Sequence, residues 1–214
     1  ETVLGDCVTF AYLAAVPLGA GLVVLGPRLA EFVFGGGFTG TGRALAVFGA
    51  ALVPTYLATM LGYAASAMDR LGVWVRLVLG AALATTVLDV VLVPWADRRY
   101  GNGAIGGALS YVITEIVIVS IGLGTLGPPL ARVLASMVTL KATLAGVVMG
   151  VVVWSIRDLP LALPILVGTV TYPAVLALLR TVDGRRRAIL RDAVRSLRRR
   201  SATDAGHTVQ GGEA

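Results

Sequence analysis

The sequence predicts an all-α integral membrane protein, six transmembrane helices followed by a basic tail, and three observations carry that prediction. Apolar residues make up 57% of the 214-residue chain and charged residues 14%, against about 45–50% and about 25% in soluble domains; mean hydropathy is +0.85. Six apolar stretches approach the roughly 20 residues a helix needs to cross about 30 Å of hydrocarbon. The segments between them have the chemistry of helix ends, with no long polar linker. Together these exclude a disordered chain, a disulfide-stapled secreted domain and an ordinary soluble enzyme.

The stretches run over 7–26, 44–68, 73–95, 104–126, 139–156 and 161–179. After the first, the run Gly35, Gly36, Gly37, Phe38, Thr39, Gly40, Thr41 and Gly42 is predicted to hold no helix, because glycine loses the most backbone freedom on ordering. Asp69 and Arg70 leave room only for a tight turn, so the second and third helices are expected to be antiparallel neighbours. Pro94 and the polar run from Ala96 to Gly103 are expected to end the third helix. Gly127, Pro128 and Pro129 end the fourth, and Arg157, Asp158, Leu159 and Pro160 separate the last two. Pro17, Pro54, Pro164 and Pro173 fall inside apolar stretches, where membrane helices tolerate them as kinks. No basic residue precedes the first stretch, so a secretory signal is not expected, and a piece of a longer parent is the simpler expectation.

Orientation follows from lysine and arginine. Of the 18 such residues, thirteen share the side of the C-terminal tail: Arg70, Arg76, Arg132, Lys141 and nine arginines from Arg180 onward. Arg28, Arg43, Arg98, Arg99 and Arg157 lie on the other. The tail is therefore expected in the cytoplasm, with the protein in the plasma membrane. Residues 1–180 would form the bundle, 181–200 a basic amphipathic helix and 201–214 a disordered end. In the tail helix Leu190, Val194 and Leu197 share one stripe. Arg185, Arg186, Arg187, Arg191, Arg195 and Arg198 would contact anionic lipid, each contributing about 1 kcal/mol. A topology signal is the plainer reading of the same arginines. Nucleic acid is not an expected partner for a basic run tethered behind a membrane helix.

Few side chains offer chemistry. Cys7, the one cysteine, can form neither an internal disulfide nor a zinc site. His207, the one histidine, lies in the tail, so no metal, no cofactor and no histidine-based catalysis are expected. Gly101, Gly103 and Gly106 match a dinucleotide-binding spacing, but that fingerprint needs a preceding strand, and membrane-length stretches flank it here. The pairs Gly103/Gly107 and Gly146/Gly150 read instead as sites of close helix approach. Tyr63, Tyr111, Tyr172, Trp74, Trp95 and Trp154 are expected to form an interfacial belt.

Two intramembrane acids are the candidate functional residues. Glu115 lies near the middle of the fourth stretch, where a charge costs about 2.5–3.5 kcal/mol on insertion scales and usually faces a cavity or a partner. Asp89 lies in the outer part of the third stretch, where hydration is the competing explanation. Both are candidates for substrate contact or coupling, against a packing role. Arg76 and Lys141 lie close enough to the tail side to snorkel.

Three stretches also occur in a suggestive order. Pro17 leads into Leu29, Ala30, Glu31, Phe32, Val33, Phe34 and Gly35, then Phe38; a long helix ends at Ala67, Met68, Asp69 and Arg70; and Leu88, Asp89, Val90, Val91, Leu92, Val93 and Pro94 precede Tyr100, Gly101, Gly106, Gly107 and Ala108. This series resembles the polysaccharide exporters, oligosaccharide flippases of the Wzx type, in the multidrug/oligosaccharidyl-lipid/polysaccharide transporter superfamily. Thr85 and Asp89 stand where that family often has asparagine. The resemblance implies a two-lobe, alternating-access transporter, not an enzyme, of which this chain is the last six helices. It implies a polyprenyl-diphosphate-linked oligosaccharide as substrate, with membrane lipid and a missing N-terminal lobe as partners. A diphosphate favours a cation, so that lobe is expected to supply one. A multidrug or peptidoglycan-precursor exporter of the same superfamily is the neighbouring expectation, and a membrane scaffold recruiting glycan enzymes is the expectation of another class.

Overall fold

The computed structural model describes residues 2–126 and 135–179, and among them all regular structure is helical. Helix α1 covers Thr2–Phe34, α2 Thr39–Ala67, α3 Leu71–Tyr100, α4 Gly103–Leu126, α5 Met137–Ser155 and α6 Ala162–Leu178, with one 3-10 turn at Gly36–Phe38. The first five are long and apolar enough to cross a membrane; α6, at 17 residues, is shorter. The expected arginine-rich helix over 181–200, with Arg185, Arg186, Arg187, Arg191, Arg195 and Arg198, lies outside the described residues, as does the expected disordered end.

The helices alternate in direction but do not pack in chain order. Their neighbours run α3, α4, α2, α1, α5, with α6 against α5 and the edge of α1. One end of the bundle, here the hairpin face, carries the α1–α2 connection. The other, the turn face, carries the turn at Asp69 and Arg70. Asp69 turns through the left-handed region, with φ 54°. The expectation that α2 and α3 are side-by-side neighbours is corrected: they touch little, and α4 packs against both. Near the turn, the Trp74 indole fills the space left by the missing side chains of Gly62 and Gly122, which lets it wedge between the helices.

Missing side chains also set the α1–α2 contact. A Cβ on Gly19 would stand 2.8 Å from Gly49 O, one on Gly26 2.8 Å from Ala46 N, and one on Gly49 2.6 Å from Val23 N. A Cβ on Gly42 would collide with Pro27 Cα. Two glycines seven residues apart on each helix thus bring the backbones together, and such packing is what associates helices in lipid. The expected pairs play a smaller part. Gly146 receives Val16 of α1 while Gly150 is open, and in α4 the closest approach is Gly106 against Leu92 rather than Gly107.

Two predicted breaks are corrected. Helix α2 begins at Thr39, inside the glycine-rich run, because Gly42 is the residue that admits the Pro27 backbone and Gly40 O accepts a bond from Asn102 Nδ2 at 2.7 Å. Helix α3 continues through Pro94 to Tyr100. Val90 and Pro94 both lie on its exposed side, so the ring has room and only one helical bond is lost. The helix stops at Gly101, whose φ of 64° makes a left-handed cap of the kind glycine favours. The dinucleotide-like spacing therefore joins two helices.

Proline and a distant tyrosine are matched in the packing of α6. Pro17 has no N–H, so Leu13 O lacks its usual helical donor. The Tyr172 hydroxyl of α6 donates to that carbonyl at 2.9 Å. Tyr172 belongs to the core formed with Val16, Leu25, Ala145, Met149 and Val153, not to an interfacial belt as expected. At the ends, cations satisfy freed carbonyls. Arg28 donates to Arg157 O and Leu159 O, Arg70 to Thr125 O at 2.8 Å, and Lys141 to Leu179 O at 2.9 Å.

Candidate functional site

The polar groups of the bundle collect along α4. Its apolar sequence places Ser110, Thr114 and Glu115 among buried residues, and all three face neighbouring helices. Ser110 satisfies itself on Gly106 O at 3.0 Å, one turn back. Thr114 faces α3, where its hydroxyl lies 2.8 Å from that of Thr85. Glu115, the next residue, is turned about 100° around the helix, toward α2.

Glu115 is 8% exposed. The hydroxyls of Tyr111, one turn earlier on α4, and Thr55, on α2, lie beside its carboxyl group, and they are 3.3 Å from each other. Oε2 of Glu115 is buried without a hydrogen-bond partner. Buried polar atoms are seldom left so, least of all a carboxylate oxygen at membrane depth. Tyr111 is thus part of this cluster rather than of an interfacial belt.

Asp89 sits one turn beyond Thr85 on α3 and faces Gly107 across the α3–α4 contact. Its Oδ1 is likewise buried without a partner, while the residue as a whole is partly exposed. The structure keeps the two acids apart. Measured from the Thr85–Thr114 contact, Asp89 lies toward the hairpin face and Glu115 slightly toward the turn face, about 7 Å apart along the bundle at 1.5 Å rise per residue. Two polar clusters result, Thr55, Tyr111 and Glu115 between α2 and α4, and Thr114 and Thr85 between α4 and α3 with Asp89 one turn beyond. No lysine or arginine reaches either among the described residues.

A cavity of about 440 Å³ opens beside Glu115, lined by Thr55, Thr59, Tyr63 and Ser66 of α2 and by Trp74 and Val78 of α3. Of these hydroxyl residues only Tyr63 was singled out in the sequence, as an interfacial aromatic, although Thr55, Thr59, Tyr63 and Ser66 recur at helical spacing, and that polar face on an apolar helix is a readable signal. A second cavity, about 530 Å³ and almost wholly apolar, lies between α1, α5 and α6 beside Pro17, Leu25, Met149 and Tyr172.

The helices define the class: an all-helical, multi-pass membrane protein with two intramembrane acids, on α3 and α4, that each keep a buried oxygen without a partner. Comparison with protein-family models, with curated proteins and with solved structures gives no match.

Proposed function

We propose that the chain is the C-terminal portion of a transporter that flips a polyprenyl-diphosphate-linked oligosaccharide across the cytoplasmic membrane by alternating access, its tail in the cytoplasm. The observation that carries the reading is the pair of intramembrane acids, buried Glu115 and partly buried Asp89, each with one buried, unpartnered oxygen. Intramembrane acids held without a cation mark substrate or ion pathways, and these two join helices that meet chiefly through α4. The ordered resemblance of the segments from Pro17 to Leu126 to polysaccharide exporters gives the substrate class. A glycan offers hydroxyls that hydrogen-bond to carboxylates, and the apolar cavity beside Met149 and Tyr172 suits a stretch of isoprenoid chain. The diphosphate needs cations, which the rest of the transporter would supply.

The test is flipping of a fluorescent lipid-linked oligosaccharide by the full-length native protein in proteoliposomes, read by a membrane-impermeant quencher. Flipping that Glu115→Gln abolishes, with insertion intact, supports the reading. No flipping by the wild type, alongside efflux of organic cations or flipping of a peptidoglycan precursor in the same vesicles, would overturn it.

A further inference from the structure

We propose that the cleft between α2 and α3 is a one-sided aqueous half-channel through which Glu115 exchanges a proton with the membrane face that carries the Asp69/Arg70 turn. The purpose of that exchange rests on the transport reading; the route rests on geometry alone.

The route begins in topology. Helices α2 and α3 leave the turn together and then separate, because α4 packs between them. The wedge of space that remains runs from Ser66 and Leu71 near the turn, past Trp74, to Thr55 and Glu115, with α4 as its floor. Its α2 wall carries, from the mouth inward, Ser66, Tyr63, Thr59 and Thr55, a row of hydroxyls spanning about 16 Å at helical rise. Ser66, Tyr63 and Thr59 are exposed, whereas Glu115 at the inner end is buried. The row therefore runs from the surface to a carboxylate that lacks a partner for one oxygen.

The route is closed beyond Glu115. Toward the hairpin face, the rings of Phe48 on α2 and Tyr111 on α4 meet with centroids 5.6 Å apart. Behind them, Gly106 lies directly on the Leu92 backbone, and Ser110 is sealed against Gly106 O. Glu115 thus has hydroxyls on one side and packed rings and backbone on the other.

The surroundings favour a proton over a larger ion. Three oxygen-bearing groups, Glu115, Thr55 and Tyr111, meet at the inner end, too few to replace the hydration shell of a metal cation. Hydroxyls both donate and accept, as a proton path requires. The titratable groups facing this region are Tyr111 of α4, Tyr63 of α2 and, on α3, Asp89 beyond the Thr85–Thr114 contact. The cations near the mouth are turned to backbone: Arg70 bonds Thr125 O, and Arg76 bonds Gly72 O at 3.1 Å. In the exchange, a hydronium in the cleft loses a proton to the Glu115 carboxylate; one O–H bond breaks and one forms.

The experiment uses the full-length native protein in membrane vesicles of each orientation, with Cys7→Ser and other accessible cysteines removed. Thr59→Cys, Ser66→Cys and, as a hairpin-face reference, Gly36→Cys are each exposed to a charged, membrane-impermeant maleimide. Thr59→Cys and Ser66→Cys are expected to label only from the face opposite to that which labels Gly36→Cys. Absence of labelling at Thr59→Cys from both faces means that lipid fills the cleft, and labelling from the Gly36 face means that the route opens the wrong way; either overturns the proposal. In a second arm, an apolar carbodiimide labels the protonated Glu115 carboxyl, read by peptide mass. Labelling is expected to fall when the turn-face pH is raised and to stay unchanged when the other face is made alkaline. Insensitivity to both, loss from the hairpin face, or protection by sodium at constant pH overturns it. Labelling reads the route and lipid flipping reads the substrate, so each idea fails by its own measurement.

Discussion

Replacing Gly49 by alanine adds one methyl group at the close α1–α2 contact, and the structure fixes what that methyl meets. Its carbon would stand 2.6 Å from Val23 N, 2.9 Å from Gly19 O and 3.0 Å from Leu22 C. All three are backbone atoms, so no side chain can rotate away and the helices must separate. Overpacking of this kind costs about 1–3 kcal/mol, and the backbone neighbours place Gly49→Ala near the upper end. Alanine also gains about 1 kcal/mol over glycine as a helix former, leaving a net loss of about 2 kcal/mol, or roughly 30-fold in the folding equilibrium at 1.36 kcal/mol per decade. Gly21→Ala is the control: it lies in the same helix pair with nothing within 4 Å of its Cβ, so only the propensity gain of about 1 kcal/mol applies. The assay is equilibrium unfolding of the full-length protein in mixed micelles, followed by tryptophan fluorescence and far-UV circular dichroism. Equal stabilisation of the Gly49→Ala and Gly21→Ala proteins would refute the close approach, and with it the reason for glycine at both positions.

Tyr172→Phe strands the Leu13 carbonyl that Pro17 leaves free, at a cost of about 0.6–2 kcal/mol; in the Pro17→Ala background, where a helical N–H returns to that carbonyl, the cost is expected to shrink, and a double-mutant unfolding cycle measures the difference. Arg28→Ala removes a charged donor from two carbonyls of the α5–α6 connection, worth about 1.5–3 kcal/mol, and hydrogen exchange should rise over 156–161 while the α3–α4 contact keeps its protection. Trp74→Ala empties the niche between Gly62 and Gly122 and should lower stability by about 3–5 kcal/mol, read in the same micelle titration; an unchanged midpoint would mean the indole does not wedge α3 onto α4. Glu115→Gln keeps the shape of the side chain and removes the titratable carboxyl, so flipping should be lost in the proteoliposome assay while insertion stays intact.

The existence of the helices was legible because it depends on composition alone: an apolar stretch of membrane length has few other conformations open to it. Their ends were less legible. The glycine-rich run and Pro94 look like stops locally, yet Gly42 is helical because of Pro27 on another helix, and Pro94 is tolerated because it faces outward. Neighbour relations were misread for the same reason. The short turn at Asp69 and Arg70 fixes direction, but only small residues on α4 reveal that α4 comes between α2 and α3. Of the site, Glu115 and Asp89 stood out as charges in apolar surroundings. Tyr111 was grouped with interfacial aromatics because its partner Thr55 lies 56 residues away in the chain, and no local pattern connects them. Tyr172 was misplaced likewise, its partner Leu13 being 159 residues distant.

The helices also differ in length in a way that bears on the surrounding lipid. Helices α1, α2 and α3 have 33, 29 and 30 residues, about 44–50 Å at 1.5 Å per residue; α5 and α6 have 19 and 17, about 26–29 Å. The Arg28 bonds hold the α5–α6 connection beside residue 28 of α1, so residues 29–34 continue about 9 Å farther, carrying the exposed Phe32 and Phe34. The two flanks therefore offer lipid different depths, a difference that helix tilt or local change in bilayer thickness absorbs. Each ångström of mismatch costs a fraction of a kcal/mol, so shorter-chain lipids would suit the α5–α6 flank and longer-chain lipids the α3 flank. Neighbouring proteins in the same membrane would then be drawn to the flank whose depth matches their own.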